Sequence, residues 1–89
     1  MAHSLSAKKR IRQNATRRSQ NRGRKEQMRA LEKDFETALT AGDQAQAQAK
    51  FKELSAYLDK IALTSTLHRN TVARKKSRAN KRLAKLQAD

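Results

Sequence analysis

The chain has no cysteine, no proline, two glycines and three aromatic residues in 89 positions. Each shortage removes a class. Without cysteine there is no disulfide framework, no thiolate metal site and no thiol chemistry. Without proline, and with aromatics limited to Phe35, Phe51 and Tyr57, neither a strand-rich sandwich nor a proline-rich linker fits. No apolar run exceeds a few residues, so the sequence offers neither a membrane span nor the apolar core of a signal peptide. The expectation is a soluble protein that stays where it is made, with no membrane partner. No glycine-rich phosphate loop is present either. What remains is rich in Ala, Gln, Lys, Arg, Glu and Leu, residues that favour helix at almost every position.

Charge of one sign is missing from both ends. Residues 1–25 hold Lys8, Lys9, Arg10, Arg12, Arg17, Arg18, Arg22, Arg24 and Lys25 with no acid. Residues 69–88 hold Arg69, Arg74, Lys75, Lys76, Arg78, Lys81, Arg82 and Lys85, again with no acid. The middle, 26–68, mixes seven acids with five bases, and the net charge is +14. Like charge at this density repels itself. Its counter-charge must come from outside the chain, and a polyphosphate is the natural source.

The apolar residues predict three helices in one small all-α domain spanning 1–89. Ala41-Gly42-Asp43 is the clearest stop. Gly42 can adopt the left-handed conformation that closes a helix, and Asp43 can cap the next. Gln46 stands at the capping-box position. Before the stop, Met28, Leu31, Phe35, Ala38 and Leu39 recur by threes and fours. After it, Ala47, Phe51, Leu54, Leu58 and Ile61 do the same, so the two helices pack as antiparallel neighbours. A second junction falls at Thr64-Ser65-Thr66, whose hydroxyls can cap. Beyond it Leu67, Val72, Ala79, Leu83 and Leu86 form a thinner stripe interrupted by Lys76. The expected segments are a basic arm at 1–25, the rest of the first helix at 26–40, a second helix at 43–64 and a basic third helix at 66–87. The arm has only Leu5, Ala7, Ile11 and Ala15 to bury, so it is expected to fray alone and to become helical when phosphate neutralises it.

The arm interleaves its bases with Ser6, Asn14, Thr16, Ser19, Gln20 and Asn21. Arg binds phosphate in a bidentate way, and short hydroxyl or amide side chains reach phosphate, sugar or 2′-OH. On a helix these bases cannot share one face, which suits a rod surrounded by nucleic acid better than one lying on a plane. The bland alternative is a solvated tail, but solvated surfaces mix signs. The run Arg74-Lys75-Lys76-Ser77-Arg78 taken alone also fits an import-signal or calmodulin-type basic helix. That leaves the matching arm unexplained. DNA readers of this size present one recognition helix or a dimer zipper, so RNA is the better partner.

His3 and His68 are too far apart and too unsupported for a metal site, so neither metal nor cofactor is expected. His68 reads as a packing or phosphate-contact residue at a helix start. The central acids, as around Arg29, Glu32, Lys33 and Glu36, read as exposed pairs within one helix. Phe35, Phe51 and Tyr57 read as core. No residues form a catalytic constellation, and no enzyme is expected.

Several segments together resemble a known family. They are Ser6-Ala7-Lys8-Lys9-Arg10, Ala41-Gly42-Asp43, Leu58-Asp59-Lys60 and above all Leu67-His68-Arg69-Asn70-Thr71-Val72-Ala73-Arg74-Lys75-Lys76-Ser77-Arg78. Over the whole chain, in order, these are similar to the bacterial small-subunit ribosomal proteins of the S-twenty family. The resemblance implies a three-helix bundle with a long basic N-terminal helix. It also implies direct binding to small-subunit ribosomal RNA at the base of the particle, help in folding that RNA during assembly, and no catalysis. Few or no protein neighbours are needed, and the protein acts as a monomer within the ribosome.

Residue by residue, the resemblance points to RNA contact by Ser6, Lys8, Lys9, Arg10, Arg12, Asn14, Arg17, Arg18, Asn21 and Arg22. In the third helix it points to His68, Asn70, Arg74, Lys75, Lys76, Ser77 and Arg78. The charge pattern adds Arg24, Lys25, Arg69, Lys81 and Arg82. Three positions depart from the family pattern. Glu26 stands where Ser is common, Ser65 where Gly is frequent, which predicts a more helical turn, and Ala79 where Leu is usual, which thins the core. The alternative reading is a nucleoid or RNA-chaperone protein that coats nucleic acid without a defined site.

Overall fold

The computed structural model describes residues 5–64 and 66–88 and consists of three α-helices. α1 runs Leu5–Ala41, α2 Gln44–Ala62 and α3 Arg69–Ala88. The all-α, three-helix arrangement expected from the apolar stripes is the one observed. His3 and Ser65 lie outside the described residues.

The first turn closes as its residues dictate. Gly42 has φ +72, the left-handed value. Its N–H donates to Leu39 O (3.1 Å) and the next N–H, of Asp43, to Ala38 O (3.2 Å), the paired bonds of a Schellman ending. The Asp43 carboxylate then accepts from Gln46 N (3.1 Å) and starts α2. Only this half of the capping box forms. The Asp43 N–H that Gln46 would have reached is already given to Ala38.

The second junction is longer than the sequence predicts. Helix 2 was expected to 64 and helix 3 from 66, but α2 ends at Ala62 and α3 starts at Arg69. The Thr64 and Thr66 hydroxyls do not cap α3. Thr64 Oγ1 donates to Ile61 O (2.7 Å) at the end of α2, and it also accepts from Thr66 N (3.2 Å). The cap of α3 is His68, whose carbonyl accepts from Val72 N (3.1 Å) and whose Nδ1 accepts from Asn70 N (3.1 Å).

The core lies where the three stripes meet. Met28, Phe35 and Ala38 of α1, Ala47, Leu54, Leu58 and Ile61 of α2, and Val72, Ala79 and Leu83 of α3 are buried. Leu31, Leu39, Phe51, Tyr57, Leu67 and Leu86 pack against them from the rim. Phe35 and Phe51 meet with ring centroids 6.0 Å apart at 50°, within the range of favourable aromatic pairs. Gln44 Nε2 donates to Leu86 O (3.3 Å) and joins the start of α2 to the end of α3.

The bundle does not extend the length of α1. A compact 89-residue chain would have a radius of gyration of about 12 Å; the observed value is 17.5 Å, with extents of 62 × 21 × 16 Å. The excess is the N-terminal part of α1. From Lys8 to Gln20 every residue is exposed, and contact with the bundle begins at Asn21.

Candidate nucleic-acid interface

From Leu5 onward the basic arm is part of the continuous helix α1, and its stretch from Lys8 to Gln20 is exposed along its whole length. At about 100° per residue, Lys8, Lys9, Arg10, Arg12, Arg17, Arg18, Arg22 and Lys25 point in every direction around its axis. Ser6 and Asn14 are exposed among them. Thr16 differs, because its hydroxyl donates to Arg12 O (3.0 Å) within the helix. There is no acid on the arm, and none of the ion pairs among the described residues reaches it. The helix presents a cylinder of positive charge about 10–12 Å across with side chains, which can take phosphates from several sides at once.

Two arm residues turn inward. Asn21 and Arg24 are half-buried. Asn21 Oδ1 accepts from Thr66 Oγ1 (2.9 Å) and from an Arg24 guanidinium nitrogen (3.2 Å). The same Arg24 nitrogen lies 3.5 Å from Thr66 Oγ1. Tyr57 Oη donates to Arg24 O (3.3 Å) one turn further in. The structure thus engages Asn21 and Arg24 in joining α1 to the α2–α3 turn.

α3 sorts its bases in the same manner. Lys75 Nζ lies 3.0 Å from Glu32 of α1, Lys76 Nζ 2.7 Å from Asp59 of α2, and an Arg82 nitrogen 3.5 Å from Glu36 of α1. Acids read from sequence as partners within one helix are therefore partners between helices. Only Lys50–Glu53, at 3.6 Å, is an intrahelical pair among the described residues. The reason is geometric. Lys75, Lys76 and Arg82 flank the buried line Val72–Ala79–Leu83, so they hang over the seams where the acids of α1 and α2 stand. Exposed pairs of this kind contribute only about 0–1 kcal/mol each, yet they aim three bases toward protein.

The opposite face of α3 is open. Asn70, Arg74, Ser77 and Lys81 follow one another by fours and threes, and all are exposed, with Arg78 beside them. Lys85 continues the line. It was not among the residues singled out from sequence, although its spacing of four from Lys81 would have found it. At the head of the line stand exposed His68 and Arg69. Because His68 Nδ1 accepts the Asn70 amide, the neutral ring carries its proton on Nε2, a donor suited to an anion. The first turn of α3 has no acid, so its amide dipoles add to the positive field there.

Among the described residues no group of three His, Cys, Asp or Glu side chains could hold a metal ion, and no helix is long and apolar enough to cross a membrane.

Comparison with known proteins agrees with the pattern of segments. A family model described as Ribosomal protein S20 matches residues 2–84. A small ribosomal subunit protein bS20 of Shouchella clausii is 44% identical over 88 residues, which cover 99% of this chain and 100% of the relative. The protein of the same name from Paramagnetospirillum magneticum is 43% identical over 88 residues, 99% of this chain and 98% of its own length. That from Alkalilimnicola ehrlichii is 41% identical over 87 residues, 98% and 99% of the two chains.

Proposed function

We propose, from the premise that this chain belongs to the ribosomal protein S20 family and is a structural constituent of the small ribosomal subunit, that it binds small-subunit rRNA directly and stabilises its fold during assembly. As a ribosomal constituent it works in the cytoplasm, in translation. Its role is one of binding, with no catalytic step and no cofactor, as a monomer whose apolar stripes close on one another and ask for few protein neighbours.

The observation that carries the reading is the arm. A stretch in which every residue from Lys8 to Gln20 is exposed and no acid occurs has no folding role that accounts for its charge. Lys8, Lys9, Arg10, Arg12, Arg17, Arg18 and Arg22 take phosphates around the arm, with Ser6 and Asn14 on sugar or phosphate oxygens. The open face of α3, with Asn70, Arg74, Ser77, Arg78 and Lys81 below His68 and Arg69, forms the second surface. Lys75, Lys76 and Arg82 contribute less, since each already faces a carboxylate. Asn21 and Arg24 act through the shape of the molecule more than through direct contact. RNA suits this division because folded RNA surrounds a protein with phosphate from several helices.

A footprint on small-subunit rRNA tests the proposal. Protection of one region that saturates at a 1:1 ratio is the expected result. Protection that spreads along the RNA with added protein and never saturates would favour the coating alternative.

A further inference from the structure

Thr66 is the one buried polar side chain among the described residues, with 7% of its surface exposed. A buried hydroxyl needs a hydrogen-bond partner. Thr66 could have found one within its own turn, since Thr64 Oγ1 is 2.9 Å away. Each hydroxyl has a single hydrogen. Thr66 Oγ1 donates to Asn21 Oδ1 across the interface at 2.9 Å, because turning its hydrogen toward Thr64 would leave two acceptor oxygens facing each other at that distance. Thr64 then keeps its own hydrogen for Ile61 O. The bond to Asn21 joins residues 45 apart in sequence.

Its place on α1 gives it consequence. Asn21 is the point where the exposed arm meets the bundle, since every residue from Lys8 to Gln20 is exposed. The arm from Asn21 out to Leu5 is about 24 Å long at 1.5 Å per residue, so a tilt of about 10° at its root moves its tip by about 4 Å. The turn that carries Thr66 also leads directly into His68 and the open face of α3. One hydroxyl thus ties the root of the first basic surface to the head of the second.

We propose that Thr66 is a positioning residue: acting through Asn21, it fixes the angle at which the basic arm leaves the bundle relative to the basic face of α3. The inference rests on the rRNA-binding reading for its consequence, though not for its geometry. Thr66 touches no RNA. It sets the spacing between two surfaces that must meet phosphates of one folded RNA at the same time, and binding strengthens when that spacing is set beforehand.

The test is a cycle of Thr66→Val, Asn21→Ala and the double variant, with Thr66→Ser restoring the hydroxyl. Hydrogen exchange of the free, full-length chain reads the geometry without RNA. Thr66→Val leaves the sequence of α1 untouched, and it should speed exchange of amides 21–27 by about tenfold while amides 31–38 keep their rates. Thr66→Ser should resemble the parent. Affinity for small-subunit rRNA, measured where every variant is fully folded by circular dichroism, should fall about fivefold in each single variant, and the double variant should lose no more than the larger single loss. Unchanged exchange at 21–27 in Thr66→Val overturns the proposal. So does a uniform rise across the bundle with a lowered melting temperature, which would make Thr66 a core-filling residue only. Multiplying losses in the double variant overturn it as well, because Asn21 would then act on RNA independently. Absence of saturable rRNA binding by the parent chain would defeat the functional reading instead, and the exchange experiment would still decide the geometry.

Discussion

Individual residues divide into those that hold the bundle and those that face outward, and burial sets the cost of changing them. Leu54 is 3% exposed in the centre of the core, so Leu54→Ala should destabilise the protein by about 2–5 kcal/mol. Phe51 sits at the rim against Phe35, and Phe51→Ala should fall near about 3 kcal/mol, the low end for an aromatic truncation. Chemical denaturation measures both, and an unchanged midpoint for Leu54→Ala would overturn its place in the core. Gly42 tests backbone alone. Nothing lies within 4 Å of where its Cβ would stand, so Gly42→Ala meets no neighbour and should cost only the left-handed strain, about 1–2 kcal/mol. Gly42→Asn should cost less, because Asn tolerates that conformation better. The apolar side of this scale was legible in the sequence, since a residue repeated at threes and fours finds its face without tertiary information. Thr66 was not legible. Nothing local marks a threonine whose partner, Asn21, lies 45 residues away in the middle of another helix.

Among the elements, the turn at Ala41-Gly42-Asp43 could be read in full because each of its residues acts on its immediate neighbours. The junction before α3 could not. There the hydroxyl-rich Thr64-Ser65-Thr66 suggested a junction capped by its own side chains, with α3 starting at 66. Thr64 and Thr66 instead bond backward to α2 and across to α1, so the helix is delayed until His68 caps it. The pairing of the acids failed for a similar reason. Glu32 and Glu36 have basic neighbours on their own helix, but α3 brings Lys75 and Arg82 into better position, and only packing reveals that. The arm of α1 is the element most sensitive to surroundings. A helix of like charge with no buried face draws no stability from packing. In the free protein, amides from Lys9 to Gln20 should therefore exchange quickly, whereas those from Met28 to Ala38 should be protected. Binding of rRNA should slow the arm amides by orders of magnitude. Strong protection of the arm in the free chain would show that it needs no phosphate to remain helical.

For the whole molecule, the question is whether charge acts by its place or merely by its amount. The net charge of +14 alone would draw the protein to any polyanion. The structure makes a narrower claim, because it separates bases that face solvent from bases that face carboxylates. Each phosphate neutralised releases condensed counterion, so the logarithm of rRNA affinity should fall with the logarithm of salt at a slope of about −0.7 to −0.9 per contact. With about six to ten contacts the slope should lie near −4 to −9. Replacing Lys8, Lys9 and Arg10 by Ala should reduce its magnitude by about two to three and leave the bundle melting as before, since these residues stand beyond its root. Replacing Lys33 and Lys52, exposed in the mixed-charge centre, should hardly change it. On α3 the same logic separates neighbours. Arg74 with Lys81, on the open face, should reduce the slope's magnitude by about 1.4 to 1.8 when both become Ala. Lys75 with Lys76, which face Glu32 and Asp59, should reduce its magnitude by less. Equal reductions from all of these sets would mean that the protein attracts RNA as a diffuse cloud of charge, and that the separation of its bases by the three-helix packing has no part in recognition.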